Sequence, residues 1–238
     1  MSTIAWHSIL GGKKNMNEKV LRKVMEAPGH AYAGSQLQLQ VLSEEFQENI
    51  DRGGMIRKKH PDITLLSPVM KDNFQEYKEE SLREILGKSL PWENFWPLRG
   101  HNLDGLAKDK DTIYIIEAKS HPDESLVPCG AKAPENRVLI ERSLEKYVGS
   151  KDYINSEHYQ LANRLALKGF LEEQGKKAKL IYICFANDMT HMKKHPKWVT
   201  SLEEWEMAID SIRKANKEMK NIDTVKFLII TNEEVICY

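Results

Sequence analysis

The feature that most constrains this chain is a strand–turn–strand pattern from Asp104 to Lys119, with the sequence DGLAKDKDTIYIIEAK. Its second half is an apolar run over residues 113–116 that ends in Glu117-Ala118-Lys119. Because side chains alternate between the two faces of a strand, Glu117 and Lys119 point to the same face. The pattern therefore predicts a carboxylate and an ammonium group side by side where a buried strand ends.

A hairpin would bring an upstream carboxylate to the same place. If the chain turns around Asp109 and Lys110, Asp104 lies opposite Ile115, on the face that carries Glu117 and diagonal to it. Two carboxylates and one ammonium group would then converge at one end of a sheet.

These groups match the needs of a hard divalent cation. Mg²⁺ prefers oxygen ligands and takes one or two protein carboxylates, keeping water and substrate phosphate in its other positions. Asp104 and Glu117 can supply the carboxylates, and the backbone carbonyl of Ala118 a third oxygen. We therefore predict a Mg²⁺ or Mn²⁺ site in a phosphodiesterase, with Lys119 acting on the attacking water or on the transition state.

The Glu-x-Lys spacing alone is not specific, because the chain contains it three times, at residues 76–78, 117–119 and 218–220. The first and third triplets lie in charged segments with helical character, where they indicate solvated faces. Only the middle triplet closes an apolar strand and follows an Asp at hairpin distance. From spacing alone, a charged strand end at the surface explains the pattern equally well.

An Asp followed by Glu-x-Lys on the next strand resembles the PD-(D/E)XK nuclease superfamily. The predicted order of elements agrees with it: a helix over 72–87, the hairpin, a helix over 156–174 and a buried strand over 179–186. Further motifs resemble a group of uncharacterised bacterial proteins in that superfamily, over roughly residues 74–209. They are FWPLRG at 95–100, EAKSH at 117–121, YQLANRLA at 159–166 and FAND at 185–188. The chain departs from that group at His101 and Leu103, where the group has Pro and Trp.

The resemblance implies an α/β fold of the restriction-endonuclease-like type, with a mixed central sheet of four to six strands flanked by helices. This domain would span 71–238, after a mostly helical N-terminal extension over 1–70. The implied activity is metal-dependent hydrolysis of phosphodiester bonds in nucleic acid, with DNA as the expected substrate. By analogy with the superfamily, Glu80 or Glu84 of the first helix would complete the metal shell, and Gln160 would reach the attacking water or a phosphate.

Three further side chains are candidates for substrate contacts. Arg99 precedes Asp104 closely, Arg164 shares a helix face with Gln160, and His121 follows Lys119 directly. Each has a simpler alternative as an ordinary solvent-facing or incidental residue, as do the two glutamates of the first helix.

Other elements follow from periodicity and from residues that interrupt helices and strands. The sequence predicts a helix that ends near Asp51 with Gly53-Gly54 as its stop, and a helix with Asp72 as its N-cap and Phe74, Tyr77, Leu82 and Ile85 inward. A short strand over 63–69 would be confined to an edge by Pro68. A helix over 136–148, an amphipathic helix around Trp205, a buried strand over 225–231 and an edge strand over 235–238 complete the pattern.

Composition narrows the class of protein. With 35 basic and 35 acidic side chains the net charge is zero, so nucleic acid would have to bind a local basic patch. Three scattered cysteines suggest reduced thiols in a cytoplasm, and we expect no membrane span. Two alternatives to a nuclease stay open: a non-catalytic module that binds nucleic acid or protein, and a metal-dependent hydrolase of a small phosphorylated substrate.

Overall fold

The structure is a computed structural model that describes residues 17–98, 100–190, 199–231 and 235–237. The helices of these residues are α1 Glu18–Glu26, α2 Gly34–Glu48, α3 Asp51–Lys59, α4 Glu79–Gly87, α5 Pro134–Val148, α6 Tyr159–Glu173 and α7 Leu202–Ala215. The strands are β1 Thr64–Ser67, β2 Gly105–Lys108, β3 Thr112–Lys119, β4 Lys177–Phe185, β5 Lys226–Ile230 and β6 Val235–Cys237.

The six strands form one mixed sheet in the order β1-β2-β3-β4-β5-β6. Strands β1, β2 and β3 are antiparallel neighbours, β4 runs parallel to both β3 and β5, and β6 returns antiparallel to β5. The predicted mixed α/β sheet flanked by helices is confirmed. The short strand β1 and the C-terminal strand β6 lie at the two edges, as predicted.

Helices cover both faces of the sheet, and its central strands contain apolar runs, such as residues 113–116 of β3 and 180–185 of β4. On one face, Leu106, Ile115 and Leu180 pack in a large core with residues of α4, α5, α6 and α7. On the other face, Tyr114 and Ile116 pack against α2 through Leu39 and Leu42. Helix α2 and strand β1 both come from the segment that the sequence assigns to an extension, so this segment contributes to the sheet and to its core.

The prediction that Gly53-Gly54 ends a helix is wrong. Helix α2 ends at Glu48 with Asn49 in the left-handed conformation, and both glycines lie inside α3. A Cβ at Gly53 would lie 2.1 Å from the backbone nitrogen of Phe46. The glycine is therefore needed for the close approach of α2 and α3. The packing of these two helices overrides the low helix propensity of glycine.

The helix predicted over 72–87 is shorter, because α4 begins only at Glu79. Residues 70–72 form a 3₁₀ turn, and Asn73 and Phe74 both take a φ of 53°. Asp72 is therefore not the N-cap of α4. Phe74 packs in a separate core with residues of α1 and α2. Within α4 the inward side chains are the predicted Leu82, which is 2% exposed, and Leu86, which is 1% exposed, whereas the predicted Ile85 is 41% exposed.

The remaining predicted elements are confirmed with small changes at their ends. They are α5, α6, the helix α7 that contains Trp205, and strands β4 and β5. Over the described part of the chain, no helix has the length and apolar character that crossing a membrane requires.

Candidate functional site

The turn between β2 and β3 fixes how their residues align. The side chain of Asp109 accepts hydrogen bonds from the backbone N–H groups of Asp111 and Thr112, at 2.9 and 2.7 Å. This local bonding places the two-residue turn at Lys110 and Asp111. The predicted turn at Asp109 and Lys110 is therefore wrong by one residue.

The observed register moves Asp104 closer to Glu117 than predicted. Gly105 pairs with Ile116, so the next pair along the ladder would join Asp104 and Glu117, whereas the sequence placed Asp104 opposite Ile115. A shift of two residues keeps Asp104 on the predicted face, since side chains alternate with a period of two.

Three of the predicted side chains converge at this end of the hairpin. Asp104 Oδ2 accepts a hydrogen bond from the backbone N–H of Ala118 at 2.9 Å. The Nζ atom of Lys119 donates to Glu117 Oε1 and lies 3.7 Å from Asp104 Oδ2. The carboxylates and the ammonium group therefore form one connected cluster.

Arg164 of α6 joins this cluster from the helix above the sheet. Its Nε donates to Glu117 Oε2 at 2.7 Å, and its two terminal nitrogens donate to the Asn102 carbonyl at 2.5 Å and to Asn163 Oδ1 at 2.8 Å. Only 5% of the Arg164 side chain is exposed. All three nitrogens of the guanidinium thus donate to oxygens of the protein, whereas the sequence predicts a contact with substrate.

The electrostatics distinguish the members of the cluster. Burial acts to raise the pKa of Glu117, but Arg164 and Lys119 outweigh it and lower that pKa. Burial acts to lower the pKa of Lys119, but Glu117 and Asp104 raise it above its ordinary value. For Asp104, burial and the neighbouring Glu117 raise the pKa to about 7, against the opposing effect of Lys119 and Arg164. Asp104 is therefore the member of the cluster whose charge changes near neutral pH.

The donor set fits a hard divalent cation. The Asp104 side chain keeps 29% of its surface exposed, which gives an ion a way in. The N–H and C=O of one strand residue face the same neighbouring strand, so the Ala118 carbonyl is directed to the side on which its N–H meets Asp104. Among the residues described, no group of three or more His, Cys, Asp or Glu side chains could hold a metal. Water and phosphate would have to supply the remaining ligands, as is usual for Mg²⁺.

The two glutamates predicted to complete the metal shell lie elsewhere. Glu80 and Glu84 of α4 have side chains that are 71% and 57% exposed, and each has a carboxylate oxygen 3.5 Å from Lys88 Nζ. The structure does not bring either of them together with Asp104 and Glu117.

Gln160 lies one turn before Arg164 on α6, on the same face of the helix. Its Oε1 atom is buried and has no hydrogen-bond partner among the described residues. A buried acceptor without a partner is costly, so this oxygen is suited to accept a hydrogen bond from water or ligand.

The other two predicted substrate contacts have different outcomes. His121 Nδ1 accepts from the backbone N–H of Asp123 at 3.2 Å and thereby caps a short 3₁₀ helix, Pro122–Ser125. Arg99 lies outside the described residues.

Sequence reasoning missed Tyr182, which lies level with Glu117 on the adjacent strand β4. Its side chain is buried, its hydroxyl donates to Ser125 Oγ at 2.9 Å, and burial raises its pKa above the ordinary value. Strand periodicity groups Tyr182 with Leu180 and Cys184 on one face. Only the parallel register shows that this face is the one that carries Glu117.

Comparison with known proteins identifies no relative of this chain. No protein-family model, no curated protein and no solved structure matches this chain. The functional argument therefore depends on the residues and their geometry.

Proposed function

We propose that this protein is a divalent-metal-dependent nuclease of the PD-(D/E)XK type that hydrolyses phosphodiester bonds in DNA. The observation that carries the proposal is the convergence of Asp104, Glu117 and Lys119, with Lys119 Nζ bonded to one carboxylate and 3.7 Å from the other. Lys119 and Glu117 are buried beside the partly exposed Asp104, and a cluster of this kind with shifted pKa values is a candidate functional site.

The order of the elements supports the proposed fold type. An antiparallel β1-β2-β3 meander is followed by helices and by a strand, β4, parallel to β3. Asp104 immediately precedes β2 and Glu117 lies near the end of β3, which is the placement that the sequence resemblance implies.

The chemistry divides among the side chains. Asp104, Glu117 and the Ala118 carbonyl would hold Mg²⁺ or Mn²⁺, which when bound acidifies water and neutralises charge on phosphate. Because its neighbours keep Lys119 protonated, this residue acts by donating hydrogen bonds to an oxygen of the phosphate as negative charge accumulates there. The unpartnered Gln160 Oε1 orients the attacking water by accepting a hydrogen bond from one of its O–H groups.

The proposal is tested by incubating supercoiled plasmid, circular single-stranded DNA and RNA with the protein in Mg²⁺ or Mn²⁺. We expect cleavage of DNA that EDTA abolishes and that Asp104→Asn lacks. Absence of cleavage on all three substrates, or equal cleavage by Asp104→Asn, would contradict the proposal. Hydrolysis of a small phosphodiester without cleavage of any polymer would instead assign the site to a small phosphorylated substrate.

One observation favours a second candidate, a non-catalytic binding module that retains the fold. Glu117 is fully buried, and each of its carboxylate oxygens already accepts a hydrogen bond from Lys119 or Arg164. Such a closed ion-pair network can serve packing alone. A wild-type protein that binds nucleic acid but no Mn²⁺ would establish this second function.

A further inference from the structure

We propose that Arg164 is a positioning residue that fixes the spacing between Asp104 and Glu117 and thereby sets the affinity of the site for metal. This inference depends on the proposed function, because it assumes that the two carboxylates share one divalent cation. It concerns the arrangement of the ligands, and Arg164 itself would touch neither the metal nor the substrate.

The first argument is that Arg164 bonds to both segments that carry the carboxylates. Its Nε holds Glu117 Oε2 on β3 at 2.7 Å, and one of its terminal nitrogens holds the carbonyl of Asn102 at 2.5 Å. Asn102 lies two residues before Asp104, on the segment that leads into β2. One rigid guanidinium plane therefore links β3 to the segment that delivers Asp104.

The second argument is that the link is itself held in place. Asn163 Oδ1 accepts a hydrogen bond from the other terminal nitrogen of Arg164 at 2.8 Å. Asn163 Nδ2 donates to the Gly100 carbonyl at 3.3 Å. Two adjacent residues of α6 thus hold the segment at Gly100 and at Asn102. Both side chains are almost fully buried.

The third argument is that few backbone hydrogen bonds among the described residues hold the opposite side of this segment. Between Pro97 and Asp104 the described chain forms no strand, apart from an isolated bridge between Asn102 and Lys78. The backbone N–H of Leu103 reaches the Tyr77 carbonyl only at 3.5 Å. Besides its own bond to the Ala118 N–H, Asp104 is therefore positioned by the bonds that Arg164 and Asn163 make to the segment before it.

The number and direction of the donors matter here as well as the charge. A guanidinium presents several N–H groups in a fixed plane, whereas an ammonium is a compact charge at the end of a flexible stem. Arg164→Lys keeps the positive charge beside Glu117, but it cannot hold Glu117, Asn102 and Asn163 together. This variant therefore separates the charge of Arg164 from its role in positioning.

The chain offers a matched control in Arg52. It is also a buried arginine, paired with Glu45 at 3.0 Å and bonded to Gln38, but it links α3 to α2. Arg52→Lys should therefore destabilise the fold in a comparable way without disturbing the candidate metal site.

The experiment is Mn²⁺ titration calorimetry on wild type, Arg164→Lys and Arg52→Lys, with the folded state checked by circular dichroism. We expect Arg164→Lys to weaken Mn²⁺ binding by about 10- to 100-fold, the range typical of residues that orient metal ligands. Arg52→Lys should retain wild-type affinity. In cleavage assays, the Mn²⁺ concentration for half-maximal rate should rise in Arg164→Lys, while kcat at saturating Mn²⁺ changes less.

The outcomes separate this inference from the proposed function. Wild-type affinity in folded Arg164→Lys, or an equal loss in Arg52→Lys, would overturn the positioning role while the nuclease assignment stands. Absence of Mn²⁺ binding by the wild type would overturn the proposed function first. If Arg164→Lys does not fold, Asn163→Ala keeps the guanidinium but removes its support and the bond to the Gly100 carbonyl. We then expect about tenfold weaker Mn²⁺ binding, and unchanged affinity would overturn the inference.

Discussion

Two buried arginine–glutamate pairs in this molecule differ in what surrounds them. Between α2 and α3, Arg52 holds both oxygens of Glu45, at 3.0 and 3.1 Å, and its remaining nitrogen donates to Gln38. At the end of β3, Arg164 holds only one oxygen of Glu117, because Lys119 holds the other.

The charges around the two glutamates explain a difference in their pKa values. Burial raises the pKa of Glu45, and the single cation Arg52 does not fully offset it. Glu117 is equally buried, but the two cations Arg164 and Lys119 together lower its pKa. The second cation is balanced by Asp104, which is partly exposed and titrates at about 7. A simple structural pair needs neither the extra lysine nor the extra aspartate, so their presence distinguishes the candidate site from the α2–α3 pair.

The largest expected effect on stability is that of Glu117→Gln. It leaves two buried cations without their main partner, and breaking a buried ion pair in this way costs about 3–5 kcal/mol. Glu45→Gln leaves only Arg52 uncompensated, so we expect a smaller loss. Urea unfolding of both variants in EDTA measures the difference. An equal or larger loss in Glu45→Gln would contradict the view that Glu117 balances more charge.

The next effect concerns catalysis. Removing the Lys119 ammonium with Lys119→Met should lower the cleavage rate by about 10²- to 10³-fold, as expected for a group that stabilises transition-state charge. Lys168→Met is the matched control, because Lys168 is equally buried at 6% exposure and pairs with Glu172 on α6. Equal loss of rate in the two variants, or wild-type cleavage by Lys119→Met, would contradict the proposed catalytic role of Lys119.

The third prediction uses the titration of Asp104 in the metal-free protein. Its folded-state pKa of about 7 lies above its unfolded value, so the folded state binds more protons between about pH 4 and 7. The contribution of Asp104 to stability is therefore complete at low pH and is lost as pH rises through this window. In EDTA, Asp104→Asn should exceed the wild type in unfolding free energy by about 1–3 kcal/mol at pH 8, a range reduced for the partial exposure of the side chain. If the difference in unfolding free energy between the two proteins does not grow with pH, the pKa of Asp104 is not raised.

The smallest expected effect is at α4. Glu80→Gln and Glu84→Gln remove exposed carboxylates that pair with Lys88, and exposed pairs of this kind contribute little. Both variants should bind Mn²⁺ within about twofold of the wild type. A strong loss of binding in either one would mean that α4 moves toward the site when metal binds, so that its glutamate completes the metal shell as the sequence resemblance implies.

Sequence patterns predicted the elements whose signals are local and repeated. Strand β4 and helix α6 follow from apolar periodicity, and the shared face of Asp104, Glu117 and Lys119 follows from strand alternation. The hairpin register was missed by two residues because the side chain of Asp109, bonded to two backbone N–H groups, decides where the turn lies. A hydrophobic pattern does not contain that information.

The features that sequence could not predict depend on contacts between distant segments. Gly53 lies within a helix because α2 and α3 pack too closely for a side chain, a tertiary effect that overrides helix propensity. The contact of Arg164 with Glu117 joins residues 47 positions apart, and its direction depends on how α6 crosses the sheet. From the chain alone, Arg164 is a candidate for substrate contact, whereas in the fold its guanidinium is buried and bonds to Glu117.

The central claim is that Asp104 and Glu117 together hold a divalent cation, and Mn²⁺ calorimetry tests it most directly. The proteins to compare are wild type, Asp104→Asn, Glu117→Gln and, as a buried carboxylate away from the site, Glu45→Gln. We predict binding by the wild type and by Glu45→Gln, and loss of binding in both site variants. Absence of binding by the wild type, or wild-type affinity in either site variant, would contradict the claim.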